Sequence, residues 1–362
     1  MDFHYSKLGK AFLKQEGNWR TLYLKGNAFE RGWQHGKLLK HLIHTNLDFM
    51  FTALTREKGL AYFQSRLAHL IRFVPSLCLE EMKGLAKGAG VNHEAIFLLN
   101  LFPEFFHCTG IACFGSATQD ASLYHVRVLD YRVGMGLQNT AVFMVVDPQE
   151  GQSYLSVSYA GFIGVITGMN ESQIAIGEIG GDGYGDIEGI SMALLLKEML
   201  MKASTLEEGI DILKLAKRTC EYFYVLSDGK ISLARGIYAT QSRLISIDPG
   251  ESYWQYDPNI SSKDPQLLDL LPQDTILIRS FKHPELYMEA AMRLRKRHGH
   301  IDLKALQEMI SFPVTDETNL HTVIFHPETL ELWIAHASPS GHPASQEPYR
   351  HINAYFNLSG KS

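Results

Sequence analysis

Two thiols lie close together in the stretch CTGIACFGSAT, Cys108 and Cys113. A cysteine can open an acyl amide or ester once a base has taken its proton, because the thiolate is the attacking form. Cys108 falls where a helical pattern gives way to a strand pattern. If the chain is cut just before it, the new α-amino group, with a pKa of about 7.7 to 8, lies beside the thiol and can serve as the base. One residue then supplies both nucleophile and base. Without a cut, His107 and His125 are the nearest histidines that could do the same work. Cys113 alternates with Ile111 along the strand, as a small buried hydrophobe would, and is the alternative nucleophile.

The elements around these residues follow from hydrophobic periodicity. Asn27 is placed as an N-cap, and Phe29, Trp33, Leu38, Leu42, Leu47 and Phe51 recur at helical spacing after it. Further helices are expected at residues 60–74, 77–89 and 92–106, so the first hundred residues read as helical. From Cys108 onward, short runs rich in Val, Ile and Tyr are separated by Gly, Asn and Asp turns, and TQDAS reads as the turn of a hairpin. Two helices intervene, the second opened by a capping box from Thr205 to Glu208. Strands return, a helix is expected near residues 283–298, and strands close the chain. This order suits an α+β sandwich of antiparallel sheets covered by helices. It divides the chain into a helical segment, 1–107, and a sheet-bearing segment, 108–362.

The 362 residues are 45% apolar and carry a net charge of -5, with Lys and Arg scattered, so no nucleic-acid footprint is present. The charged N-terminal stretch lacks a signal-peptide core, and no window approaches the run of about 20 apolar residues that a membrane span needs. A cytoplasmic chain without a membrane span is expected. The four cysteines, Cys78, Cys108, Cys113 and Cys220, form neither a disulfide framework nor a Cys-x-x-Cys pair. His321 and His326 lack the spacing of zinc ligands, and no metal or other cofactor is expected. The glycine-rich stretch GEIGGDGYGDIEG carries Glu178, Asp182, Asp186 and Glu188, which would repel phosphate. It reads as a mobile loop beside the site.

CTGIACFGSAT followed by YHVRVLDY resembles the start of the mature chain in the peptidase C45 group of N-terminal nucleophile (Ntn) hydrolases, the penicillin acyltransferase-like enzymes. NAFERGWQHGKLL, YAGFIGVITGMNESQIAIGEIGG, RTCEYFYVLSDGK and NLHTVIFHPETLELWIAHA resemble further blocks of that group, in the same order. Bile-salt hydrolases, acid ceramidase and the phospholipase B-like proteins are similar more distantly. The resemblance implies an αββα sandwich, self-cleavage before Cys108, and acyl transfer from a small amide or ester through an acyl-cysteine. It gives Arg127 the task of favouring thiolate and Asp130 that of holding the new ammonium. Since residues three apart on a regular strand face opposite ways, both can serve one site only with a bulge or strand end near Leu129.

Acyl transfer also needs donors for the developing oxyanion, commonly an Asn side chain and a backbone N–H. Asn170, closing a strand in TGMN, is the first candidate. Where relatives carry a second Asn this sequence has CEYFYVLSDG, so Glu221, Tyr222 or Tyr224 would substitute, and Glu178 is a further possible contact. Two other readings stay open: a noncatalytic binding module on the same fold, and an internal Cys–His hydrolase that is never cut.

Overall fold

Asn27 caps the first helix through reciprocal bonds: its side chain accepts from the Glu30 N–H and the Glu30 carboxylate accepts from the Asn27 N–H, each at 2.9 Å. In the computed structural model, which describes residues 3–57, 61, 67–101, 107–131, 133, 136–181, 188–256, 270–279, 281 and 283–354, helices follow at Ala28–Leu38, Lys40–Glu57, Ser76–Ala89 and His93–Leu101. Three strands precede them, which the reading of a helical opening did not include: β1 (Phe3–Leu8), β2 (Ala11–Glu16) and β3 (Trp19–Gly26). Two-residue turns join them, with Gly9 and Gly17 at φ 61° and 58°, a conformation that favours glycine. Ala11, Leu13, Leu22 and Leu24 alternate inward, while Phe12, Lys14, Thr21, Tyr23 and Lys25 between and beside them are only partly buried.

β3 runs parallel to β6 (Ala141–Pro148) and thereby ties residues 3–26 into the main sheet. That sheet continues through β7 (Tyr154–Tyr159), β8 (Thr167–Asn170), β9 (Ile174–Gly180), β10 (Tyr222–Asp228), β11 (Leu233–Ala239) and β12 (Leu244–Ile247), all antiparallel. The second sheet has the order β13 (Thr275–Arg279), β4 (His107–Cys113), β5 (Tyr124–Asp130), β14 (Asn319–His326), β15 (Glu331–His336) and β16 (Arg350–Asn353).

The sheets pack face to face. Ile179, Phe223 and Val225 of the larger meet Cys108, Leu129 and Ile278 of the smaller in one apolar cluster. The larger sheet's outer face is covered by the early helices and by Met192–Lys202 and Leu206–Leu215. Pro284–Arg297 and Leu303–Met309 cover the smaller sheet. The result is a four-layered αββα sandwich of class α+β.

One buried ionic group crosses between the early helices and the rest of the chain. The Glu81 carboxylate, 3% exposed, lies 3.0 Å from Arg31 Nη2 and 2.7 Å from Lys197 Nζ. Arg31 also donates to Glu150 at 2.7 Å. Arg31 and Glu81 come from helices packed backbone to backbone; a Cβ on Gly32 would stand 1.9 Å from the Glu81 carbonyl oxygen.

Candidate active site

β4 and β5 form the expected hairpin, with Cys113 opposite Tyr124, Gly110 opposite Arg127 and Cys108 opposite Leu129. Paired residues share a face, so Cys108 and Arg127 both point between the sheets. Arg127 is fully buried. Its Nη2 donates to Cys108 Sγ at 3.2 Å and to Glu178 Oε2 at 3.1 Å, and its Nε donates to the Glu178 carbonyl at 3.0 Å. Gly177 makes room for this crossing: a Cβ there would lie 2.6 Å from Arg127 Cγ. The Gly180 backbone N–H also donates to the Cys108 sulfur. Glu178 thus belongs to strand β9 rather than to a loop. Of the other acids in that glycine-rich stretch, Asp182 and Asp186 lie outside the described residues, while Glu188 pairs with His69 at 2.6 Å.

Burial dominates the electrostatics. Cys108 is 1% exposed, and its thiol is pushed up to about 12 by burial, against the opposing pull of Arg127. Burial raises the Glu178 carboxyl to about 7, again against Arg127. Arg127 Nη1 and Glu178 Oε1 have no hydrogen-bond partner among the described residues. The Arg127–Glu178 pair is wholly interior, unlike an ordinary ion pair at a strand end.

Asp130 takes a different route to the same place. The β4–β5 register is unbroken through Leu129, so Asp130 faces away from Arg127, and the irregularity lies instead in β14, between Asn319 and His321. Asp130 pairs across the strand with His107, the residue before Cys108. Its Oδ1 accepts from the Asp316 N–H at 3.2 Å, Arg279 Nη2 stands 3.9 Å from Oδ2, and burial raises it to about 6.

The remaining sequence candidates separate clearly. Asn170 is committed to structure: its amide donates to the Leu200 and Ala203 carbonyls at 2.9 and 2.8 Å, and its Oδ1 accepts from Ser172 and Ile174. Both amide protons are used, so it has none to offer an oxyanion. Tyr222 and Tyr224 join the helix-side cluster, away from Cys108. Glu221 is buried, with its Cγ 2.9 Å from where a Gly181 Cβ would stand, one residue beyond Gly180.

Cys113, five residues along β4 from Cys108, points to the opposite face of that strand, and burial pushes it up to about 12. His125 bonds Ser227 at 2.8 Å, and burial lowers it to about 3. Its place along β5 is four residues from Leu129, about 13 Å at the usual rise per residue. His125 therefore cannot pair with Cys108. The side chain of His107, and residues 102–106, lie outside the described residues. His326 sits at the β14 end beside Glu328, at 3.4 Å. Among the described residues no three His, Cys, Asp or Glu side chains are grouped as a metal site, and no helix is long and apolar enough to cross a membrane.

The chain is 24% identical to Protein dcd1A of Dictyostelium discoideum over 88% of its own length and 78% of that protein. It is 24% identical to an acid ceramidase of Heterocephalus glaber over 65% of its own length and 67% of the ceramidase. Among solved structures, a Caenorhabditis elegans N-acylethanolamine-hydrolyzing acid amidase ortholog matches with TM-score 0.47 at 15% identity, covering 61% of this chain and 93% of that one. The four-layered αββα arrangement of its sheets and helices is the architecture that the sequence resemblance implied. No family model matches the chain. Two polar side chains between the sheets, Tyr159 and His321, were not read from the sequence as site residues. Nothing local marks either one: His321 enters the cross-strand row of Leu129 and Cys108 through pairing of strands distant in sequence, and Tyr159 meets it from the facing sheet.

Proposed function

We propose that this chain is a thiol-dependent amidohydrolase or acyltransferase, activated when the peptide bond before Cys108 is cut. The observation that carries the reading is the bond from Arg127 Nη2 to Cys108 Sγ at the junction strand, with Gly180 N–H on the same sulfur. The similarity to acid ceramidases supports an acyl amide as substrate. In the first step Cys108 Sγ adds to the His107 carbonyl carbon, and the π pair moves to oxygen. Collapse expels the Cys108 nitrogen, which takes the thiol proton and leaves a thioester. Water hydrolyses the thioester, giving a carboxylate on the upstream piece and a free thiol and amine on Cys108.

The same centre then acts on external acyl groups. The new amine takes the thiol proton, Sγ attacks the substrate carbonyl, and the leaving amine departs with that proton. Water or a second amine releases the acyl group. Gly180 N–H is one oxyanion donor, and Asp130, beside the new N-terminus, holds the ammonium. The pieces stay together after the cut, because β3–β6 pairing, the Glu81–Lys197 contact and a shared apolar core bridge them.

Intact mass measurement tests this reading. Denatured wild type should resolve into residues 1–107 and 108–362, native protein should elute as one species, and Cys108→Ala should stay whole. A whole chain that still hydrolyses acyl substrates would favour an uncut Cys–His enzyme, and a whole and inert one a binding module.

A further inference from the structure

Three buried polar side chains form a line between the sheets. Tyr159 Oη lies 2.9 Å from His321 Nδ1, and His321 Nε2 lies 3.1 Å from Thr167 Oγ1. Tyr159 is 3% exposed and the other two are 0%. The line touches the site at its middle and at one end. His321 stands in one cross-strand row with Leu129 and Cys108, and Thr167 is the register partner of Gly177, the residue that Arg127 crosses. The charges of Arg127 and Cys108 both act on the Tyr159 hydroxyl, as they would on a near neighbour, though burial is the larger influence on it. Burial, with Arg127 and His336 nearby, keeps His321 neutral.

A neutral imidazole carries one N–H, and each hydroxyl carries one O–H, so three protons serve two hydrogen bonds. Neither hydroxyl has another partner among the described residues. One O–H is therefore left over, at one end of the line or the other. When Thr167 donates to Nε2 and Nδ1–H donates to Tyr159, the spare proton belongs to the tyrosine.

Resting on the acyl-transfer reading above, we propose that the Tyr159 hydroxyl is the second oxyanion donor, with His321 and Thr167 as positioning residues that turn its O–H toward Cys108. A negative charge forming on the carbonyl oxygen selects that direction of the line, because it gains a charge-assisted hydrogen bond from a group already desolvated. The line carries no net charge, so holding it in the interior avoids the cost of a buried ion. It also fills the role that Asn170 cannot, its amide protons being spent on the helix end.

The test follows the cut by intact mass in full-length Tyr159→Phe, Thr167→Val and Thr167→Ser, with melting temperatures alongside. Tyr159→Phe should slow the cut about 10²- to 10³-fold, the usual effect of losing one oxyanion donor. Thr167→Val should slow it about tenfold, near the worth of one hydrogen bond, and Thr167→Ser should restore the rate because it keeps the hydroxyl. A wild-type rate in folded Tyr159→Phe would overturn the proposal, as would Thr167→Ser being as slow as Thr167→Val. If Tyr159→Phe fails to fold, the comparison of the two Thr167 variants decides alone. A wild type that is cut while Tyr159→Phe is unimpaired sinks only the role of Tyr159. A wild type that is never cut and transfers no acyl group sinks the acyl-transfer reading and this proposal with it.

Discussion

Arg127 donates to Cys108 Sγ at 3.2 Å, yet the thiol it touches stays protonated at neutral pH, because burial outweighs the cation and pushes it up to about 12. The pair is assembled before it is active. A cut before Cys108 would bring a neighbouring amine to a sulfur already aligned.

Reactivity should therefore appear with the cut. In a chain kept whole, for example by Asp130→Asn if that variant stalls processing, brief iodoacetamide treatment at pH 7.5 should leave Cys108 and Cys113 unlabelled, since both are buried thiols. In the cut protein Cys108 should label first and its modification should track loss of acyl transfer, while Cys113→Ser keeps most of the rate. Rapid, activity-linked labelling of Cys113 would reverse the assignment.

The raised Glu178 carboxyl makes a signed prediction about stability. Its pKa is about 7 in the folded chain against 4.5 as the reference, so the folded state holds the proton more tightly. Its contribution is complete below 4.5 and is lost as pH rises toward about 7, and Asp130, raised to about 6, acts in the same direction. Urea midpoints of uncut Cys108→Ala at pH 5 and 7.5 should differ more than those of Cys108→Ala with Glu178→Gln. Equal slopes in the two proteins would show that Glu178 titrates alike in the folded and unfolded chain.

Asn170 should behave as a structural residue. Removing its amide takes away the donor to the Leu200 carbonyl, one of two donors to the Ala203 carbonyl and the acceptor of the Ser172 and Ile174 N–H groups, a cost of about 1–3 kcal/mol or more. Asn170→Ala should lower the melting temperature clearly while the cut proceeds within a few-fold of the wild-type rate. Unchanged stability with a large loss of rate would return Asn170 to the site.

Sequence alone determined the parts of the site held by local pairing. Cys108 and Arg127 belong to one hairpin, so a turn between Cys113 and Tyr124 sets their register, and the change from helical to strand period marks where the hairpin starts. The N-caps at Asn27 and Thr205 were legible for the same reason, since each bonds a residue three positions on. The strands in residues 3–26 carry inward-facing apolar residues at Ala11, Leu13, Leu22 and Leu24, an alternation that the helical reading of the opening passed over.

Tertiary structure decided the rest. β9 and β10 are buried on both faces, so their patterns have no alternation to show which way Glu178, Tyr222 or Tyr224 points. Glu178 meets Arg127 and Tyr159 meets His321 only because two sheets stack with Gly177 beneath Arg127, and the facing of one sheet on another is a non-local choice that no spacing in the chain encodes.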